Sequence, residues 1–197
     1  MNKIMNKSIY VILGWWFFSL MPVVGQGTFC VYNSEEEFKS AIGILHQPDD
    51  FSDMTNIAFF DMVSRKCGPC GYSCLTYSNN LIKTQGELAA GFPLDTMYIT
   101  NSPKAIHYIG GYFYNTDAMG QFSKGTITIK AGGNTYSFTP TNKDAFMGFV
   151  FSQPVTEVSF SGGAINLMDD KSFTMSHLYL GAPAVNTTNA SIPDKTM

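Results

Sequence analysis

Cys30, Cys67, Cys70 and Cys74 are all the cysteines of this 197-residue chain, and their spacing allows three kinds of chemistry. Cys67-Gly68-Pro69-Cys70 has the proline-spaced thiols of a dithiol redox pair, and all four thiolates together could close around zinc. In an oxidising compartment an even cysteine count reads first as two disulfides, with three connectivities that spacing cannot separate. A redox pair requires a helix N-terminus to lower the first thiol's pKa, whereas Gly71, Tyr72, Ser73 and a β-prone Leu75-Thr76-Tyr77 run follow here. Disulfides among the four cysteines are therefore the expectation.

The remaining candidates are carboxylates, histidines and tyrosines. His46, His107 and His177 stand in three separate settings; His107 and His177 fall in strand-like runs, where a joint metal site would need them to face one another. Asp61, Asp117, Asp169 and Asp170 could supply the acid and base of a glycan hydrolase, the alternative to a non-enzymatic module. Gly-x-Ser-x-Gly, His-Glu-x-x-His and glycine-rich phosphate loops are all missing. Tyr112, Tyr114, Asn115 and Asp117 combine aromatic faces with planar polar groups, the chemistry that matches sugar rings and their hydroxyl pairs. Asn115 with Asp117, or Asp169 with Asp170, offers oxygen ligands for calcium, although neither completes a known calcium loop. No other cofactor is implied.

Those residues sit behind a leader. Lys3 and Lys7 precede an apolar run from Tyr10 to Leu20 that breaks at Met21-Pro22, and Val23 and Gly25 suit cleavage before Gln26. Residues 1–25 are expected to be a signal peptide, 26–183 one domain, and 184–197 a polar tail. That tail holds two Asn-x-Ser/Thr triplets, at Asn186 and Asn189. The apolar run is too short to span a bilayer comfortably, so export without a membrane span is expected. Both tryptophans, Trp15 and Trp16, lie in the leader, leaving tyrosine and phenylalanine as the large aromatics of the exported form. The net charge of −3 becomes more negative without Lys3 and Lys7, and no Lys/Arg cluster remains, which argues against nucleic acid as a partner.

Ser34-Glu35-Glu36-Glu37 has the pattern of a capping box, and Phe38, Ala41, Ile42 and Leu45 follow at helical spacing. The glutamates read as first-turn helix chemistry. From residue 56 the texture changes to short β-prone runs at 57–62, 81–84, 97–100, 106–115, 146–151, 155–161 and 173–180. The clearest hairpin joins 126–130 to 135–139 through Ala131-Gly132-Gly133-Asn134, with Ile127/Ile129 and Tyr136/Phe138 alternating against polar residues. About nine or ten strands and one short N-terminal helix predict an all-β, antiparallel two-sheet sandwich, jelly-roll-like in character.

An ordered set of segments adds a resemblance: Ile109-Gly110-Gly111-Tyr112-Phe113-Tyr114-Asn115-Thr116-Asp117, Gly120-Gln121-Phe122, Gly125-Thr126-Ile127-Thr128-Ile129, Phe146-Met147-Gly148-Phe149-Val150, 154–160 and Leu178-Tyr179-Leu180-Gly181. Over most of residues 30–182 the chain resembles secreted bacterial β-sandwich domains of the kind found in PEP-CTERM-type exported proteins. It differs in its cysteine segment and in ending at Met197 without a Pro-Glu-Pro sorting motif. The resemblance implies an extracellular or surface-matrix protein. Together with the patch at Tyr112–Asp117, it sets the expectation of a secreted, non-enzymatic module that binds, or forms part of, a cell-surface or polysaccharide matrix; a purely structural, self-associating subunit is a further alternative.

Overall fold

The computed structural model describes residues 28–43, 47–54, 58–78, 80–84, 86–100, 105–164, 168 and 170–182. The expected leader at 1–25, Leu45, His46, Asp169 and the expected tail at 184–197 with its two triplets lie outside these residues. Fourteen strands and one helix are described, and every strand pairing is antiparallel. The strands form two sheets, so the chain is an all-β two-sheet sandwich.

The larger sheet runs in the order β1 (Phe29–Tyr32), β12 (Phe146–Val155), β8 (Ile106–Thr116), β14 (Ser172–Gly181), β6 (Glu87–Ala90), β5 (Leu81–Thr84) and β2 (Ala58–Phe60), with the two-residue β9 (Phe122–Ser123) also on β8. The smaller sheet is ordered β11 (Asn134–Phe138), β10 (Ile127–Ala131), β13 (Glu157–Ser161), β7 (Thr96–Thr100), β4 (Cys70–Thr76) and β3 (Met62–Cys67). The expected hairpin is β10–β11: Gly132 and Gly133, at φ 55° and 83°, make its tight turn, and Ile129 opposes Tyr136.

Strand parity sorts the side chains. On β8 the odd positions Ile109 and Phe113 face the smaller sheet, and the Phe113 ring lies 4.6 Å from that of Phe160 on β13. Phe160 stacks on Phe173 of β14 at 4.9 Å, and Phe149, Met175, Leu178 and Leu180 extend the same core. Each such side chain contributes about 1.5–3 kcal/mol by leaving water. The even positions Tyr108, Gly110, Tyr112 and Tyr114 point the other way, where a second apolar layer forms beneath the helix.

That helix is α1 (Glu35–Ile42). Ser34 caps it with an extended backbone and an Oγ that accepts from the Glu37 amide, and Gly43 closes it at φ 62°. Phe38 is fully buried and inserts among Tyr108, Phe146, Tyr179 and Tyr32. It can do so because Gly110 and Gly148 oppose each other on β8 and β12, leaving a side-chain-free hollow. A Cβ on Gly110 would lie 2.6 Å from the ring, and one on Gly148 would collide with it too.

Two expectations are corrected. The cysteine segment is a hairpin, with β3 and β4 joined at Gly68-Pro69, and the structure shows no disulfide among the four cysteines. Cys67, Cys70 and Cys74 point between the sheets as small apolar core residues; Cys74 opposes Val63, while Cys30 lies on β1 of the other sheet, opposite Val150. In addition, β12 runs through Pro154 to Val155. The pairing of β12 with β8 shifts between Val150 and Val155, and Ser152, Gln153 and Pro154 are exposed there, so the missing amide interrupts no regular ladder.

At one side of the sandwich Asp49 bridges to Leu178 through two 2.9 Å backbone bonds. Its buried carboxylate accepts from Arg65 of β3 (Nε, 2.7 Å), from the Tyr72 hydroxyl (2.7 Å) and from the Phe51 amide (3.1 Å). Since Asp49 pairs with the larger sheet and Arg65 belongs to the smaller, this buried ion pair ties the layers together, and its satisfied oxygens offset the desolvation of both charges.

Candidate ligand groove

Beside α1, the outer face of the larger sheet is open. A depression of about 740 Å³ lies there, within the range usual for ligand sites. Tyr112 and Tyr114 of β8 face it, Glu35 of α1 forms one wall, and Glu87, Asp144 and His177 stand around it. A second hollow of about 730 Å³ shares Glu35, Tyr112 and Asp144, and a third of about 850 Å³ shares Glu87, Tyr114 and Lys143. The three form one groove along the sheet, walled by segments 139–145 and 118–122.

Glu35 sets the geometry of this face. Its carboxylate accepts from the Tyr112 hydroxyl at 2.5 Å and the Tyr179 hydroxyl at 2.6 Å, and pairs with Lys39 one turn later at 2.5 Å. Burial works against its charge, but the bonds from Lys39, Tyr112 and Tyr179 outweigh burial and hold the carboxyl at about 2. The Tyr112 phenol is pushed up to about 12, first by burial and then by Glu35, so it remains a neutral donor. Its ring, half-buried, is fixed edge-on between Phe146 (5.7 Å) and His177 (5.5 Å).

His177 reaches the groove through a bulge. The β8–β14 pairing shifts between Ser176 and Tyr179, and His177 takes φ 52°, so that Ser176 and His177 both line the groove while Leu178 returns to the core. Tyr114 lies deeper, at 2% exposure, and burial followed by its hydrogen bond to Glu87 raises its phenol. Tyr112 is therefore the aromatic surface offered to a ligand, with Tyr114 as the base beneath the groove.

The four expected ligand residues separate accordingly. Tyr112 and Tyr114 come together. Asn115, on the opposite face of β8, is fully buried between Gly125 and Gly162, and neither of its amide atoms has a partner among the described residues. Asp117 begins the β8–β9 turn, its Oδ1 accepting from the amides of Met119 and Gln121 at 2.9 Å. The Oδ1 of Asp117 is thus engaged by the turn.

Asp61 lies between β2 and β3, and Asp117 follows β8, four strands from β2 in the larger sheet. At about 4.8 Å per strand, that is roughly 19 Å, wider than the ~5–9.5 Å of paired glycosidase carboxylates. Asp170 is exposed ahead of β14. Among the described residues no three His, Cys, Asp or Glu side chains converge as a metal site, which bears on both the calcium and the zinc expectations. The Cys67 thiol is pushed up to about 11 and that of Cys74 higher still, both by burial, the reverse of what a redox nucleophile needs.

Glu35, Glu87, Lys143, Asp144 and His177 escape motif reading because they come from four separate segments: α1, β6, 139–145 and β14. One sequence signal does point to this face: β8 alternates aliphatic and phenylalanine side chains at 109 and 113 with tyrosines at 108, 112 and 114, which marks two faces of different chemistry.

Fold and groove together define a two-sheet antiparallel sandwich with a polar, tyrosine-based cleft on its helix-bearing face. No protein-family model, curated protein or solved structure matches the chain. Among the described residues no helix is long and apolar enough to cross a membrane.

Proposed function

We propose that this chain is an exported, non-enzymatic β-sandwich module that holds a glycan of an extracellular or cell-surface matrix in the groove beside α1. The observation that carries this reading is the pairing of a rigidly held aromatic, Tyr112, with flanking carboxylates and a histidine in a continuous cleft. An aromatic ring of fixed orientation packs against the C–H face of a sugar, and carboxylates accept paired hydroxyl hydrogen bonds. Because Glu35 and the surrounding rings hold Tyr112 in place, little side-chain entropy is lost on binding. The leader-like pattern at 1–25 and the resemblance to exported sandwich domains support the extracellular setting.

A glycan array probed with residues 26–197, with and without calcium, tests the proposal. Specific binding that falls at least about tenfold in Tyr112→Ala, with the far-ultraviolet dichroism of the variant unchanged, is the expected result. Silence across the array in both conditions, or binding indifferent to Tyr112, would count against the groove as a glycan site.

A further inference from the structure

The polar lining of the groove is predominantly of one sign. Glu35, Asp50, Glu87 and Asp144 face its central part, against Lys143 and His177. Lys39 neutralises Glu35 from the helix side. Asp50 is held in its charged form, first by hydrogen bonds from the amide and hydroxyl of Ser52 and, after these, by nearby His177. With Glu35 paired to Lys39, the three carboxylates Asp50, Glu87 and Asp144 outnumber Lys143 and His177 in the lining, so the field over Tyr112 attracts cations and repels anions.

Resting on the glycan reading above, we propose that the groove ranks its ligands by charge: chains with free amino groups on their sugar rings bind best, uncharged chains less well, and uronic-acid or sulfated chains are turned away. A ring carrying an ammonium in place of a hydroxyl keeps the same contact with Tyr112 while placing three donors near Asp50, Glu87 and Asp144. A carboxylate or sulfate at the same position meets like charge and loses its water without gaining a partner. Lys143 lies at the junction with the outer hollow and does not reverse the sign of the centre.

Calorimetric titration of residues 26–197 with three hexasaccharides tests the ranking: β-1,4-linked glucosamine, its fully N-acetylated form and oligogalacturonate. The amine-bearing chain should bind on the order of tenfold more tightly than the acetylated one at low salt, the advantage should shrink at high ionic strength, and oligogalacturonate should give no heat. Glu87→Gln with Asp144→Asn should abolish the preference for the amine-bearing chain while the far-ultraviolet dichroism and urea midpoint of the variant stay unchanged, which separates a charge effect from misfolding. Equal or tighter binding of the acetylated or uronate chain would overturn the ranking while the glycan reading stood. Absence of binding by all three, with the array also silent, would overturn both.

Discussion

Glu35 does two jobs with one carboxylate. As the first residue of α1 it complements the helix dipole, and as an acceptor for Tyr112, Tyr179 and Lys39 it fastens the helix to the sheet and sets the aromatic floor of the groove. Its folded-state pKa of about 2 lies below the ordinary 4.5. A depressed carboxylate pKa contributes stability that is full above the unfolded value and is lost as pH falls through the folded one. Acid should therefore loosen α1 between about pH 4.5 and 2, seen as a shift in tyrosine fluorescence before the sheets unfold. Glu35→Gln should lower stability at neutral pH and flatten that acid limb; an unchanged limb would show that another group controls it. This residue also marks a limit of sequence reading. The run Ser34-Glu35-Glu36-Glu37 declares a helix start, but that Glu35 alone meets two tyrosines from β8 and β14 depends on pairings made far along the chain.

At the scale of elements, α1 lies close to the sheet because two glycines make room for one phenylalanine. Gly148 and Gly110 are partners across β12 and β8, and the Phe38 ring fills the hollow above them. Gly148→Ala should destabilise the protein by about 1–3 kcal/mol through overpacking, and Phe38→Ala by about 3–5 kcal/mol through the cavity it leaves. Combining Gly148→Ala with Phe38→Leu should cost less than the sum of the single changes in urea denaturation, since the smaller side chain yields space to the new methyl. Strict additivity would place Phe38 outside the hollow. The β10–β11 hairpin and the helix cap were legible because their signals are local: a Gly-Gly turn between alternating runs, and a serine three residues before a glutamate. The β3–β4 hairpin was harder. Cys70, Tyr72 and Cys74 alternate with Gly71 and Ser73 as a strand should, but the pattern emerges only when cysteine is counted as a small apolar residue.

For the molecule as a whole, three of the four cysteines belong to the core. Cys67, Cys70 and Cys74 are buried between the sheets, whereas Cys30 is partly exposed on β1. A thiol reagent should modify Cys30 first, react with the other three only as the sandwich opens, and count four thiols per chain in denaturant without reductant. A count of two or none under those conditions would show disulfides. The two-sheet architecture could be read from strand texture, because alternation and turn residues are local properties. The groove could not: its walls come from α1, the bulge in β14 and segment 139–145, and only the order of strands brings them together. A one-residue shift at the bulge decides whether position 177 faces ligand or core, and no property of His177 itself announces it.

The pairing of β1 with β12 joins position 30 to position 150, and the surface that receives α1 is built from β8, β12 and β14. A chain emerging from its N-terminus therefore makes the groove's helical wall first and the floor on which it rests last. Such distant partnerships slow folding, and they leave the larger sheet incomplete until nearly all of the sandwich has been synthesised. Under the export proposed above, that delay is useful: a polypeptide threading through a narrow passage stays unshaped until the last long strand is made.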